Sequence, residues 1–151
     1  MENGMEEFDR SVRGFVYDFA MQRGYPPKLA VTAVKFSVSV DEARDSFQRL
    51  ADARILVLQR DSGEILMANP FSAVPTAFVV ELDTYTCFAN CIWDALGISA
   101  MVNKDSIIKT SCADCGKAIE LRIVKNTVLG DPGLIHFAIP AKHWWEDIVF
   151  T

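Results

Sequence analysis

Apolar residues in the first part of the chain recur at helical spacing. Within residues 5–23 they stand three or four positions apart, which is the spacing of one buried helix face. Residues 24–27, Gly-Tyr-Pro-Pro, end this helix and begin a second one over residues 28–36, because proline is accepted in a first helical turn. Ser39, followed by Glu42 three positions later, predicts a capping box at the start of a third helix. The apolar positions of the first helix are Phe8, Val12, Phe15, Val16, Phe19 and Ala20, and those of the third are Phe47, Leu50 and Ala51.

A strand, a turn and a second strand follow these helices at residues 55–58, 60–63 and 64–67. Three helices and a hairpin indicate a winged-helix-like module over residues 1–70. Such a module either binds DNA through its third helix or serves packing and dimerisation. It carries nine Lys/Arg against eleven Asp/Glu, a net charge of −2. Because phosphate contacts dominate DNA affinity, the charge favours the packing role.

A segment bounded by prolines at residues 69–75 separates this module from the rest of the chain and predicts a domain boundary there. The second domain, residues 76–151, combines strands with one longer helix, which we predict over residues 87–96. The other predicted elements are strands at 77–82, 106–110, 118–124 and 134–139, turns at 112–116 and 129–132, and a helical turn at 143–146. The pattern therefore predicts an α+β protein, in which a three-helix module precedes a small mixed-sheet domain.

Composition narrows the range of functions. Half of the 151 residues are hydrophobic, enough for a buried core, and no apolar run reaches the roughly 18 residues of a transmembrane helix. The acidic N-terminus lacks the basic-then-apolar order of a signal peptide. We therefore expect a cytoplasmic protein with reduced cysteines and no membrane partner. The net charge of −5 predicts no nucleic-acid partner, and nothing in the sequence predicts an oligomeric state.

All four cysteines lie within 29 residues, at Cys87, Cys91, Cys112 and Cys115. A helix over residues 87–96 places Cys87, Cys91 and Asp94 in one stripe, because residues three or four apart share a helix face. Two thiols beside a carboxyl form a soft ligand set with a proton carrier. Burial raises the pKa of a carboxyl, which suits Asp94 to exchange a proton with Cys91.

The same cysteines also predict a zinc site, since structural zinc takes four thiolates, often as two pairs. Residues 112–117, Cys-Ala-Asp-Cys-Gly-Lys, have the form of a zinc knuckle, whereas the apolar residues around the first pair are typical of a core. Buried cysteine is also common as a small hydrophobic residue, so core packing is the alternative for each thiol. We assign no catalytic role to either histidine: His136 is expected in the core within its strand, and His143 at the surface.

The segment from Cys91 to Leu96, Cys-Ile-Trp-Asp-Ala-Leu, resembles the Cys-x-x-Asp helix of the alkylmercury (organomercurial) lyases. Cys112, which precedes a turn with Gly116, resembles a third cysteine of that family that is regarded as structural. The sequence Phe-Ala-Ile-Pro at residues 137–140, followed by a helical turn, is similar as well. The resemblance implies a winged-helix-like module followed by a small alkylmercury-lyase-like domain.

The resemblance also implies a reaction, which is cleavage of a carbon–mercury bond by protonation. In this reaction Cys91 is the first thiol on mercury, and Asp94 takes its proton and returns it to the leaving carbon. The partner is an organomercurial or mercuric ion, and no cofactor is implied. The family's second catalytic cysteine lies on a later strand, after a segment like residues 144–150. We therefore expect the chain to be truncated before that cysteine, to bind mercuric ion tightly and to turn over organomercurials slowly or not at all.

Two other functions stay open. One is a non-catalytic protein that binds zinc or another soft metal on Cys87, Cys91, Cys112 and Cys115. The other is a metal-responsive winged-helix transcriptional regulator. Four converging sulfurs favour the first, salt-dependent DNA binding favours the second, and Cys91 with Asp94 at a pocket favours the lyase.

Overall fold

The structure is a computed structural model that describes residues 2–130 and 133–149, with side chains from residue 6 onward. Its α-helices are α1 (Glu2–Arg23), α2 (Leu29–Phe36), α3 (Val40–Asp52) and α4 (Ile92–Val102), and a 3-10 helix spans Ala141–Glu146. Its strands are β1 (Val57–Leu58), β2 (Ile65–Ala68), β3 (Phe71–Ser72), β4 (Phe78–Glu81), β5 (Thr86–Ala89), β6 (Ser106–Ser111), β7 (Ala118–Val124) and β8 (Thr127–Leu129). The predicted α+β fold class is confirmed.

The predicted start of α3 is confirmed in detail. The Glu42 backbone N–H donates to Ser39 Oγ at 3.1 Å, and the Ser39 backbone N–H donates to the Glu42 carboxylate at 2.8 Å. Helix α3 is held to α1 by Arg49, which donates to the two carboxylate oxygens of Asp9 at 2.7 and 2.8 Å. The Ser46 hydroxyl also donates to Asp9, at 2.7 Å. The two helices are therefore joined by polar contacts beside their apolar core.

The strands form one antiparallel sheet in the order β1-β2-β3-β5-β4-β6-β7-β8. Helix α4 packs against β4, β5 and β6, and Ala95 and Ile98 supply its buried face. The helix therefore lies over the three neighbouring strands β5, β4 and β6 in the middle of the sheet.

Buried apolar residues form two clusters. One lies among α1–α3, β1 and β2 and comprises Val12, Val16, Leu29, Ala33, Ala43, Phe47, Leu50, Leu56, Ile65 and Ala68. The other lies between α4 and the sheet and comprises Ala20, Phe71, Val80, Cys87, Ala89, Ala95, Ile98, Ile108 and Ile123. The sheet itself is continuous from β2 to β3. The domain boundary near residue 70 and the winged-helix arrangement of the first module both stay predictions.

The end of α1 lies against β5. Gly24 has φ +84°, and a Cβ atom built there would lie 2.7 Å from the Tyr85 ring and 3.1 Å from Cys87 Cβ. The Tyr85 hydroxyl donates to the Met21 carbonyl at 2.6 Å. Glycine is needed here for both its backbone angle and its lack of a side chain, because the helix meets the sheet at this point.

Two of the predicted elements are wrong. Residues 87–96 are not one helix: Thr86–Ala89 pair with β4 as a strand, and α4 begins only at Ile92 and continues past Gly97. Gly97 does not end the helix, and a Cβ atom there would be 3.7 Å from Pro70, so this face of α4 is closely packed. The predicted strand at 134–139 has no regular structure, and His136 is exposed instead of lying in a core.

Other expectations for the second domain are confirmed. Strands over 106–110 and 118–124 appear as β6 and β7, and His143 lies in the 3-10 helix, where its ring pairs with Glu146. Residues 131–132 of the predicted turn at 129–132, and residues 150–151, lie outside the described residues. No described helix is both long and apolar enough to cross a bilayer.

Candidate active site at the start of helix α4

Cys91 caps the N-terminus of α4. Its backbone is extended, with φ −150° and ψ −179°, and its sulfur accepts the backbone N–H of Asp94 at 3.5 Å. Its carbonyl accepts the N–H of Ala95 at 2.9 Å, which is the first intrahelical bond. Cys91 and Asp94 are neighbours, as predicted, but the thiol lies just before the helix and not on its face.

The surroundings of the Cys91 thiol favour its protonated form. Burial raises its pKa, and so do the charge of Asp94 and the hydrogen bond from the thiol to that carboxylate. The backbone N–H groups of Asp94 and Trp93 act in the opposite direction, as expected at a helix N-terminus. The direction of the net shift is upward, so the thiol must lose a proton to bind a metal.

Asp94 is a carboxyl that retains its proton more readily than usual. Burial raises its pKa, and hydrogen bonds from Asn90 and Cys91 offset only part of this rise. Burial raises the pKa of the neighbouring Cys91 thiol as well, so both groups favour their protonated forms. Asp94 is the carboxyl placed beside the thiol to accept its proton.

Asn90 holds the Asp94 carboxylate in place. Its Nδ2 lies 3.1 Å from Asp94 Oδ2, 2.9 Å from Asn69 Oδ1 and 3.3 Å from the Pro70 carbonyl. One amide thus ties the carboxyl to the turn between β2 and β3. Asn90 Oδ1 is buried and has no hydrogen-bond partner among the described residues. Asn90 is not predictable as a site residue from the sequence, because its partners Asn69 and Pro70 are about twenty positions away.

Helix α1 lies close to the same site. Burial raises the pKa of Tyr17, and the negative charge of Asp94 raises it further, while Arg13 lowers it. Tyr17 is therefore close enough to Asp94 for their charges to interact. The Trp93 side chain, between the thiol and the carboxyl in sequence, is 63% exposed. Tyr17 of α1 and Trp93 of α4 are therefore the aromatic side chains to consider around the pair.

Cys87 does not join this site. It lies on β5 opposite Val80, is 1% exposed and belongs to the core between α4 and the sheet. Burial raises the pKa of its thiol to about 12. The predicted stripe of Cys87, Cys91 and Asp94 is wrong, because a strand and a turn replace the first turns of the predicted helix.

Cys112 and Cys115 lie in the turn between β6 and β7. The turn is closed by two backbone bonds of 2.9 Å, from Gly116 N–H to the Cys112 carbonyl and from Cys112 N–H to the Lys117 carbonyl. The predicted knuckle turn at 112–116 is therefore confirmed. Both cysteines line a cavity of about 630 Å³, together with Ile92 of α4. Neither Cys91 nor Asp94 is among the residues that line this cavity.

The predicted four-cysteine metal site is wrong. Within residues 2–130 and 133–149, no group of three or more His, Cys, Asp or Glu side chains is positioned to hold a metal ion. The four thiols are instead divided among the core, the start of α4 and the β6–β7 turn. A tetrahedral zinc site needs four ligands that converge, and the strand at Thr86–Ala89 directs Cys87 into the core.

Comparisons with known proteins match the chain to one family model and to solved structures. A family model described as MerB, alkylmercury lyase, matches residues 71–151, which is more than half of the chain. The chain is also similar to a solved structure described as the mercury-bound form of MerB2, with a TM-score of 0.62 and 19% sequence identity. The match covers 83% of this chain and 65% of that one, and at this identity it shows the fold. No curated protein matches the chain.

Proposed function

Since the chain belongs to the alkylmercury lyase family, we propose that it cleaves the carbon–mercury bond of organomercurials with Cys91 and Asp94. The observation that carries the proposal is that a half-buried thiol and a half-buried carboxyl meet at one helix N-terminus, where the Asp94 backbone N–H donates to the Cys91 sulfur. The first of these groups is a soft ligand, and the second is a proton carrier of raised pKa.

The first step is exchange at sulfur. The Cys91 S–H bond breaks as a sulfur–mercury bond forms, and Asp94 accepts the proton. Mercury prefers thiolate over oxygen ligands because both partners are soft. Burial disfavours a separated thiolate beside a carboxylate. Binding of the cationic organomercury group offsets that cost. The thiolate charge is neutralised by mercury and the carboxylate charge by the proton, so no uncompensated charge is left in the site.

The second step is protonation of carbon. Asp94, now a carboxylic acid, gives its proton to the carbon bound to mercury, and the carbon–mercury bond breaks. The products are a hydrocarbon and mercuric ion on Cys91. A second thiol on mercury increases the electron density at the carbon, and a small-molecule thiol can supply it in solution. Asn90 acts as a positioning residue, because its Nδ2 donates to one oxygen of the Asp94 carboxyl.

The structure offers less support for a transcriptional regulator. Arg49 of α3 is paired with Asp9, and Arg44 of the same helix donates to the Ser62 carbonyl at 2.6 Å. Side chains engaged in this way are poorly placed to contact phosphates.

The test is release of benzene from phenylmercury in the presence of excess small-molecule thiol. We expect slow release by the unsubstituted chain and none above the thiol-only background for Cys91→Ser. Cys115→Ser is the matched control, because it also removes one thiol but at an exposed turn. Equal release by Cys91→Ser and the unsubstituted chain would contradict the assignment of Cys91.

A further inference from the structure

The turn between β6 and β7 carries a pair of thiols that the proposed cleavage does not use. Cys112 and Cys115 stand three positions apart in this turn, which is closed by the two backbone hydrogen bonds given above, and both line one cavity. The backbone N–H groups of Cys115 and Asp114, followed by the Cys115 side chain, lower the pKa of the Cys112 thiol. A turn that directs backbone N–H groups at sulfur favours the thiolate, which is the form that binds metals.

This pair opens onto a preformed space. Both sulfur-bearing residues line the cavity of about 630 Å³, whose walls are largely apolar and include Ile92, Leu96, Ile119 and Leu121. Lys117 and Glu120 line the same cavity, so its charged lining residues include one of each sign. The Thr110 hydroxyl, also at the cavity, is buried and has no hydrogen-bond partner among the described residues. The site thus combines two ligand atoms, a space and an unused polar group.

We propose that Cys112 and Cys115 form a dithiol site for a soft, two-coordinate metal ion, with mercuric ion as its occupant. Binding breaks two S–H bonds and forms two sulfur–mercury bonds, and it releases two protons when both thiols are protonated beforehand. No electrons are transferred and no co-reactant is needed. This site is separate from the Cys91–Asp94 pair, and the inference does not depend on carbon–mercury cleavage.

The ligand number and the charge select the ion. A structural zinc ion takes four ligands, and among the described residues no third His, Cys, Asp or Glu joins these two thiols as a metal group. Mercuric ion is satisfied by two sulfurs. Two thiolates with a divalent ion form a neutral complex, which an apolar cavity accepts without an uncompensated buried charge.

The test is titration of the full chain carrying Cys91→Ser with mercuric chloride, against a small-molecule thiol as competitor. Because Cys91 is absent and Cys87 is buried, the proposal predicts one bound mercuric ion per chain, measured by equilibrium dialysis. Adding Cys115→Ser should weaken binding by about 100-fold or more, since a pair of linked ligands gains 10²–10⁴ over one. Asp114→Asn on the same background is the matched control, because it keeps both thiols in the same turn, and it should bind like its parent.

A second readout needs no substituted cysteine in the turn. The unsubstituted chain has two expected mercury sites, Cys91 and the Cys112–Cys115 pair. With one equivalent of mercuric ion for each site, both Cys112 and Cys115 should be protected from iodoacetamide, as detected by peptide mass spectrometry. Zinc ion at the same concentration should protect neither. The proposal is overturned if Cys91→Ser retains no mercury, if the additional Cys115→Ser does not weaken binding, or if zinc protects as well as mercury does. Each of these results leaves the proposed cleavage by Cys91 and Asp94 untouched, because none of them measures hydrocarbon release.

Discussion

The backbone N–H of Asp94 donates to the sulfur of Cys91 across 3.5 Å, so one thiol both caps helix α4 and adjoins the carboxyl proposed to exchange its proton. The cap holds the two groups near each other, because only Ile92 and Trp93 of the first helical turn lie between them. A bond used for folding therefore also positions the proposed chemistry.

Burial of Asp94 predicts that the carboxylate destabilises the fold at neutral pH. Its pKa is raised above 3.8 mainly by burial, so the native state holds the proton to a higher pH than the unfolded chain does. The stability that the protonated form provides is complete below the unfolded pKa and is lost as the pH rises through the raised pKa. Asp94→Asn should therefore raise the urea midpoint at neutral pH, and the gain should shrink on acidification. The exposed Asp114→Asn should show no such pH-dependent gain, and a lower neutral-pH midpoint for Asp94→Asn would contradict the account.

Cys87 is predicted to be a core residue whose replacement acts through stability. Cys87→Ser introduces a hydroxyl into an apolar site and should cost about 1–3 kcal/mol of unfolding free energy, whereas Cys87→Ala should cost about 1 kcal/mol. Both follow from urea denaturation. In the native chain the thiol should resist alkylation at neutral pH, because burial raises its pKa to about 12. Native-state alkylation of Cys87 as fast as that of Cys115 would show that β5 is placed wrongly.

The packing of the end of α1 against β5 predicts that alanine substitutions at two glycines of α1 and its C-terminal end change the stability of the protein in opposite directions. Gly24→Ala should destabilise the protein by about 1–3 kcal/mol, since alanine is strained at φ +84° and meets the Tyr85 ring. Gly14→Ala, inside α1 with nothing within 4 Å of its Cβ position, should stabilise it by about 0.5–1 kcal/mol. Thermal unfolding of both variants checks the pair, and equal effects would contradict the packing of α1 on the sheet.

The N-terminal module is predicted not to bind DNA with useful affinity. Its net charge is −2, and Arg49 of α3 is engaged by Asp9. A mobility-shift assay at physiological salt with competitor DNA should show no stable complex. The variant Asp9→Asn removes the ion pair and frees Arg49, so it tests whether that pair alone prevents DNA binding. We expect no stable complex with this variant either, because the module remains acidic. A complex that weakens steeply with salt would overturn the prediction.

The elements predicted most accurately from the sequence are those determined by interactions between residues close together in the chain. Ser39 and Glu42 define the start of α3 through a capping box four residues long, and the two-residue alternation of residues 118–124 appears unchanged as β7. The stretch around Cys87 failed because a short apolar run fits a strand and a helix equally well, and its pairing with β4 is set by tertiary structure. Asn90 was missed for a related reason, since its partner Asn69 is 21 positions away. The proximity of Cys91 and Asp94 was predicted from their spacing of three residues. That spacing brings two residues together on a helix face, and it does the same when the first of them is the N-cap.

The most direct test of the account is a single-turnover reaction of Asp94→Asn with phenylmercury, with the products read as benzene release and as the intact mass of the protein. An asparagine cannot carry the proton, so we predict that this variant retains the phenylmercury group on Cys91 and releases no benzene. The unsubstituted chain should release benzene and retain mercury alone, and Asp114→Asn should behave like it. Benzene release by Asp94→Asn at the rate of the unsubstituted chain would contradict the assignment of Asp94 as the proton carrier.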